Sequence, residues 1–456
     1  MSNNYDVVNP YSNRVIASYQ HTEWTEVELQ LGCLKAGQSH QKELPAHRRA
    51  AILYRLAELL EEHAEGLAKL ITEETGKTIA DSRIEMERAV NATIASAEES
   101  RQISGEALDS DAYAPTRGKI GVVCWRPLGT ILCITPFNFP INIAMHKIGP
   151  AFAAGNCILF KPSPENTASA QLLVELCYRA GMPEQVLQLA VPALTDMAGL
   201  IAHPLVDAVN FTGGTGAAEA IARAAGYKKL LLELGGNDPL IVMDDGDIKA
   251  AVAAAINQRF ATAGQRCTAA KRVFVQQAVY DEFRQCLLAA ASELVVGDPA
   301  SEQTFVGPVI NAAAADTVQS RIDQAIAGGA TVLLGNRREG NVLYPTILEG
   351  VDDDAALMVE ETFGPVIPLR AFDTLEELVS LVNNSAFGLQ AGVFTTNLVT
   401  MRYLFEALEV GTLATNDGPG FRTEHFPFGG VKSSGVGREG IKYAIREMSY
   451  QKTLVL

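Results

Sequence analysis

No run of eighteen uninterrupted apolar residues occurs in the 456-residue sequence, so a membrane-spanning helix of the ordinary kind is not expected. The first ten residues lack a basic segment followed by an apolar one, so no secretory signal is expected either. Also missing are a His-Glu-x-x-His segment, paired Cys-x-x-Cys spacings and any Cys/His cluster, and without them no metal is expected. Low-complexity tracts and solenoid-length repeats are absent as well. Positive charge is in deficit, 37 Lys and Arg against 53 Asp and Glu, which argues against nucleic acid or an anionic membrane surface as the main partner. The seven cysteines are odd in number and irregularly spaced, in a chain too large to need stapling. They read as reduced thiols and point to the cytoplasm.

What is present fits a folded enzyme-sized protein. A chain of 456 residues exceeds what one hydrophobic core usually serves, so two or three packed units are expected. After a short N-terminal segment, apolar residues recur at helical intervals over 45–76, and a second helix is expected over 79–103. Residues 118–124 and 130–135 read as two short β-rich runs in a hairpin-like arrangement. From 136 to about 242, strands and helices alternate at βα-unit lengths, and a second such series runs to 391–394. Repeats of this kind imply open parallel sheets covered by helices, with binding sites at the carboxyl ends of the strands. The last residues, 450–456, form an apolar, β-prone tail.

Cys267 stands in Gly264-Gln265-Arg266-Cys267-Thr268, a small, polar context unlike that of Cys133 or Cys157. A thiol beside a guanidinium ionises more readily, although a cysteine taken alone is usually a small buried hydrophobe. Two further residues fall at strand-to-helix junctions that should open on the same crevice. Glu233, in Glu233-Leu234-Gly235-Gly236, offers a base, and Asn138, in Pro136-Phe137-Asn138-Phe139-Pro140, offers an amide donor for a developing oxyanion. Singly, they are equally well read as a strand-end carboxylate and a helix cap. Their co-occurrence favours chemistry.

These segments, with Lys161-Pro162-Ser163, Phe211-Thr212-Gly213-Gly214, residues 360–365 and Pro427-Phe428-Gly429-Gly430, follow the order found in the aldehyde dehydrogenase superfamily, which the whole chain resembles. The resemblance implies an α/β protein with a Rossmann-type NAD(P)-binding domain (1–117 and 136–234), an α/β catalytic domain (235–430) and a small β oligomerisation element (118–135 and 431–456) that makes homodimers or homotetramers. It implies that Cys267 adds to an aldehyde, that Asn138 and the Cys267 backbone N–H hold the oxyanion, and that Glu233 activates the water that releases the acid. Relatives that pass the acyl group to coenzyme A typically lack that glutamate, so a free acid is expected. For NAD or NADP, the resemblance implicates Thr135, Phe137, Lys161, Ser163, Gly213, Gly214, Leu234, Gly235, Glu361 and Phe363.

The sequence departs from the family pattern in the cofactor segment. Gly214 and Ala218 replace a hydroxyl residue and a glycine, and Glu165 follows Pro164 where many NAD-selective members carry the acidic residue one place earlier. NAD and NADP both remain open. On the substrate side, Arg266 offers a guanidinium next to the nucleophile, His146 lies two helical turns beyond Asn138, and Arg422 and His425 fall in a loop resembling the substrate-entry loop. The closest likeness is to the branch with phosphonoacetaldehyde, lactaldehyde and non-phosphorylating glyceraldehyde-3-phosphate dehydrogenases. A small anionic or hydroxylated aldehyde ranks first, succinic semialdehyde second. A coenzyme A-acylating enzyme and an inactive fold used for binding are the remaining alternatives.

Overall fold

The computed structural model describes residues 4–456; the first three residues of the expected 1–117 segment lie outside the described residues. Four helices lead the chain after an N-terminal pair of antiparallel strands: α1 (Trp24–Glu43), α2 (Ala46–Glu62), α3 (Ala64–Thr75) and α4 (Ile79–Ser100). The single helix expected over 45–76 is two helices with a break at His63, whose φ of −105° and ψ of 8° leave helical geometry. The α3 helix then ends on Gly76 in the left-handed conformation, φ 71°, which glycine adopts without a side-chain clash. The α1 helix was not anticipated. Its buried residues Val27, Leu31, Leu34, Gly37 and Gln41 form one narrow stripe among polar neighbours, a weak periodic signal.

Two sheets organise the molecule. The first has six strands in the order Gly435–Val436, Lys229–Glu233, Ala208–Thr212, Thr130–Ile134, Cys157–Lys161 and Leu187–Leu189, parallel except for the first. The second has seven, Thr331–Leu334, Thr346–Glu349, Val366–Phe372, Arg272–Gln276, Pro239–Val242, Gln390–Phe394 and Thr412–Thr415, with only Thr331–Leu334 antiparallel. Each sheet has its own apolar core. Leu132, Ile158, Val209 and Leu231 lie in one; Ile241, Phe274, Ile367 and Val393 lie in the other. Strands buried on both faces read as continuous apolar runs, which is why the βα series was legible.

The hairpin expected between 118–124 and 130–135 does not form. Gly121–Pro127 pairs with Glu106–Leu108 and Ser449–Val455 in a separate three-stranded antiparallel sheet, whereas Thr130–Ile134 is a central strand of the six-stranded sheet. The chain changes sheets at Gly129, φ 138°, whose N–H donates to Asn156 Oδ1 at 2.9 Å and where a Cβ would come within 2.0 Å of Asp207 Oδ2. A two-residue hairpin turn is thereby replaced by a crossing held from outside. Residues 130–135 therefore leave the small β element. So do Gly435–Val436, on the edge of the six-stranded sheet, and Ile441–Glu447, a helix whose Ile441, Ala444 and Ile445 pack in the first core. Among the described residues no helix is long and apolar enough to cross a membrane.

Candidate active site

Helix α5 (Asn142–Ala154) follows the Thr130–Ile134 strand, and the loop between them carries Asn138. Glu233 closes the strand Lys229–Glu233 in the same sheet, so both side chains emerge at the carboxyl edge, the usual place for ligands in parallel sheets. Cys267 arrives from the other sheet's domain, on a segment whose backbone is forced. Thr262, Ala263 and Gly264 have φ of 55°, 51° and 72°, three successive left-handed residues. Such conformations persist only when their surroundings hold them. Here Asp81 accepts from the Thr262 N–H at 2.8 Å, and Gln265 Oε1 accepts from the Ile310 N–H at 2.9 Å. Lys271 Nζ donates to the Cys267 carbonyl and pairs with Glu361 at 3.0 Å.

Asn138, Glu233 and Cys267 line one cavity of about 200 Å³. Asn138 is buried and donates one amide hydrogen to the Gln265 carbonyl at 2.8 Å, which aims the amide at the cysteine segment and leaves its second hydrogen available. Glu233 is buried, and its Oε1 has no partner among the described residues. Burial, then the charge of Glu439, pushes its pKa up to about 8 against the opposing pull of Arg422 and Lys147. Beneath it, Lys147 Nζ donates to Asn210 Oδ1 at 2.6 Å and to Glu439 Oε1 at 2.9 Å, and Arg422 Nη2 donates to Glu439 Oε2 at 2.7 Å. Burial would raise Glu439, but Lys147, Arg422 and His146 outweigh it and hold the carboxyl at about 2. The two neighbouring carboxyls are thus pushed in opposite directions, Glu233 up by burial and Glu439 down by Lys147 and Arg422.

The thiol corrects an expectation. Desolvation, then the Glu233 carboxylate, pushes the Cys267 pKa well above the ordinary thiol range, and Lys271 and Arg422 only partly oppose them. Arg266 does not activate it. The Arg266 guanidinium instead shares Thr262 Oγ1 at 3.2 and 3.3 Å and lies 3.5 Å from Asp81 Oδ1. The sulfur is therefore a neutral thiol before substrate arrives, and its proton has to leave to a neighbouring base.

The residues expected to hold the cofactor flank the cavity. Phe137, Gly213, Gly214, Leu234, Gly235, Glu361 and Phe363 line it directly. Lys161 and Ser163 sit at the end of the adjacent strand, where the Lys161 carbonyl accepts from the Thr135 N–H at 3.1 Å. The groove suits a dinucleotide. Among the described residues, Thr135 Oγ1 is buried without a partner, a Cβ on Gly235 would come 2.1 Å from Glu361 Oε2, and nothing lies within 4 Å of a Cβ at Gly214. Gly214 caps the helix Thr215–Ala225, an N-terminus open to phosphate. The Ser163 hydroxyl donates to Glu165, so the carboxylate that sequence placed one position late reaches back to the Lys161–Ser163 corner.

Of the expected substrate residues, His146 is fully buried, and neither ring nitrogen has a partner among the described residues. Burial, then Arg422, holds its pKa well below the ordinary histidine range. Arg422 lies 3.8 Å from the Phe428 ring centroid, and its Nε has no partner among the described residues. His425 is exposed on the loop, packed against Phe426 at 4.6 Å between centroids. Sequence reasoning missed Arg88, Lys147 and Glu439. Lys147 had a signal, a lone lysine inside the apolar Ile143–Phe152 run. Arg88 had none, since a helical arginine usually faces solvent. Here it follows Glu85, which contacts the N–H groups of Ile141 and Asn142 at 2.9 and 3.1 Å, by one turn. Farther along, a Cβ on Gly149 would come 2.5 Å from Ser96 Oγ, so α4 and α5 run in the same direction, and the Arg88 charge helps to lower the His146 pKa. Arg88 Nη2 is buried without a partner among the described residues, and burial, then Arg422, pushes the Arg88 pKa down to about 10.

The whole arrangement matches one kind of known protein. The model of the aldehyde dehydrogenase family matches residues 1–454. A sulfoacetaldehyde dehydrogenase of Neptuniibacter caesariensis is 67% identical over 456 residues, covering 100% of both chains. A 3-sulfolactaldehyde dehydrogenase of Priestia megaterium is 36% identical over 99% of this chain and 94% of that one. Among solved structures, a glyceraldehyde-3-phosphate dehydrogenase of Methanocaldococcus jannaschii complexed with NADP superposes with a TM-score of 0.95 at 36% identity, covering 99% of this chain and 98% of the other. With a thiol, a carboxylate and an amide converging beside a dinucleotide groove, the chain belongs to the aldehyde dehydrogenase family of NAD(P)-dependent oxidoreductases.

Proposed function

We propose that the protein oxidises a short sulfonated aldehyde, sulfoacetaldehyde, to the free acid sulfoacetate. One observation carries the substrate class: Arg88 Nη2, Arg422 Nε, both His146 ring nitrogens and Thr423 Oγ1 are buried without partners among the described residues. Unpaired buried donors are costly, and a guanidinium at Arg422 close enough to lower the Arg88 pKa calls for an anion between the two. A sulfonate is anionic at every working pH and offers three acceptor oxygens. Arg266, held by Thr262 and Asp81, adds positive charge at the cysteine end of the same region. The sulfonate-aldehyde relatives support the same choice.

Cys267 adds its sulfur to the aldehyde carbon as the thiol proton passes to Glu233, and the carbonyl electrons become an oxyanion. The free hydrogen of the Asn138 amide and the Cys267 N–H stabilise that oxyanion. NAD(P), when bound in the groove, supplies the acceptor for the hydride of the aldehyde carbon. Loss of that hydride leaves a thioester on Cys267. Glu233, having passed its proton on through its polar surroundings, then takes a proton from water; the hydroxyl adds to the acyl carbon, the carbon–sulfur bond breaks, and Cys267 departs as the sulfur anion. No coenzyme A enters this sequence. In the groove, Lys161 and Ser163 serve the adenosine ribose, Glu361 and Phe363 the nicotinamide end, and the residues at 213–214 and 234–235 allow close backbone approach.

The test is Arg88→Gln assayed with sulfoacetaldehyde and with propanal. Losing one charge-assisted contact should lower kcat/KM for the sulfonate about 10- to 100-fold and for propanal by less than about 3-fold. Equal losses for both would remove Arg88 from anion recognition. The same reading places the enzyme in the cytoplasm, which the seven free cysteines support. It also makes the enzyme a homodimer or homotetramer, supported by the exposed edge strand Ser449–Val455 with Leu454 and Val455 outward.

A further inference from the structure

A second group of buried charges stands behind the catalytic loop, unused in the chemistry above. Lys77, just before α4, and Glu85, within it, form an ion pair with side chains 1% and 0% exposed. Such a pair gains little stability over apolar residues of the same volume, because desolvating two charges offsets their attraction. Its neighbours explain what it does instead. Glu85 Oε1 accepts from the backbone N–H groups of Ile141 at 2.9 Å and Asn142 at 3.1 Å, which open α5. That helix has no side-chain cap of its own, so a carboxylate from another helix takes the capping role. The Lys77 ammonium lies 3.7 Å from the centroid of the Phe139 ring, the residue next to Asn138. Three fixings therefore act on residues 139, 141 and 142, all within four positions of Asn138.

We propose that Lys77 and Glu85 are positioning residues for the oxyanion, holding the loop before α5 so that the Asn138 amide faces the carbon attacked by Cys267. The inference rests on the assignment of Asn138 above and adds to it the two residues that act through Asn138. Asn138 keeps its bond to the Gln265 carbonyl from the cysteine side, so the amide is located from both domains, once by Gln265 and once by this pair. An amide displaced by about 1 Å loses most of its effect on the transition state while substrate still binds.

The experiment is a cycle between Lys77→Met/Glu85→Leu and Asn138→Ala, read by the pre-steady-state burst of NAD(P)H with sulfoacetaldehyde. The paired substitution buries no unmatched charge. It should slow the burst about 10- to 100-fold, change KM less than about 3-fold, and leave alkylation of Cys267 by iodoacetamide at its original rate. In the Asn138→Ala background, the same pair should cost less than about 3-fold, because the amide it positions is gone. The milder Lys77→Met/Glu85→Gln keeps an acceptor for the two N–H groups and frees only Phe139. It should give a smaller loss, again absent in the Asn138→Ala background, and keeps the question decidable should the first variant not fold. Equal factors in both backgrounds, or a parallel fall in alkylation, would overturn the positioning role. If Asn138→Ala alone left the burst intact, the assignment of Asn138 itself would fall, and this inference with it.

Discussion

Cys267→Ala should remove aldehyde oxidation, with NAD(P)H formation falling on the order of 10⁴-fold or more, to background. No neighbour can replace the sulfur. Cys133 and Cys157 are sealed inside the first core, and burial pushes both up to about 12. The variant should still fold and bind NAD(P), because Cys267 sits at the cavity wall and not in either core. A steady-state assay together with cofactor binding by fluorescence separates these two properties. Substantial residual turnover would assign the nucleophile elsewhere.

Glu233→Gln should separate the two halves of the reaction. The first turnover still yields a burst of NAD(P)H, slowed because Glu233 no longer receives the thiol proton. Steady turnover falls about 10²- to 10⁴-fold, because water then attacks the thioester without a base. The pH dependence carries a sign. Burial raises the Glu233 pKa to about 8, so the carboxyl is protonated below that pH and cannot take a proton from water. Turnover by the unaltered protein should therefore rise with pH through about 8, and Glu233→Gln should lose that limb. Equal loss of burst and turnover would make Glu233 structural or a base for the thiol alone.

The three residues proposed for catalysis were legible because each announces itself locally. Asn138 lies between prolines at a strand end, Glu233 precedes two glycines, and Cys267 stands among small polar residues. Parallel-sheet geometry then predicts that strand ends converge. What stayed hidden depends on burial and partners that no local pattern encodes. Residues 118–124 and 130–135 look alike as β-prone runs, yet Thr130–Ile134 is buried on both faces as a central strand, while Gly121–Pro127 is mostly half-exposed in a small antiparallel sheet. The expectation that Arg266 would lower the Cys267 pKa came from adjacency in sequence. In space Arg266 turns to Thr262 and Asp81, and desolvation governs the thiol. Arg88 could not be told from a solvated helical arginine until α4 was seen packed beside α5.

The most direct measurement is NAD(P)H formation with the purified, reduced protein, sulfoacetaldehyde or propanal, each cofactor in turn, and no coenzyme A. The expected result is sulfoacetate released with one reduced cofactor per aldehyde, and a kcat/KM for the sulfonate at least about 100-fold above that for propanal, the scale of one or two charge-assisted contacts. Equal rates on both aldehydes, or turnover that requires coenzyme A, would contradict it.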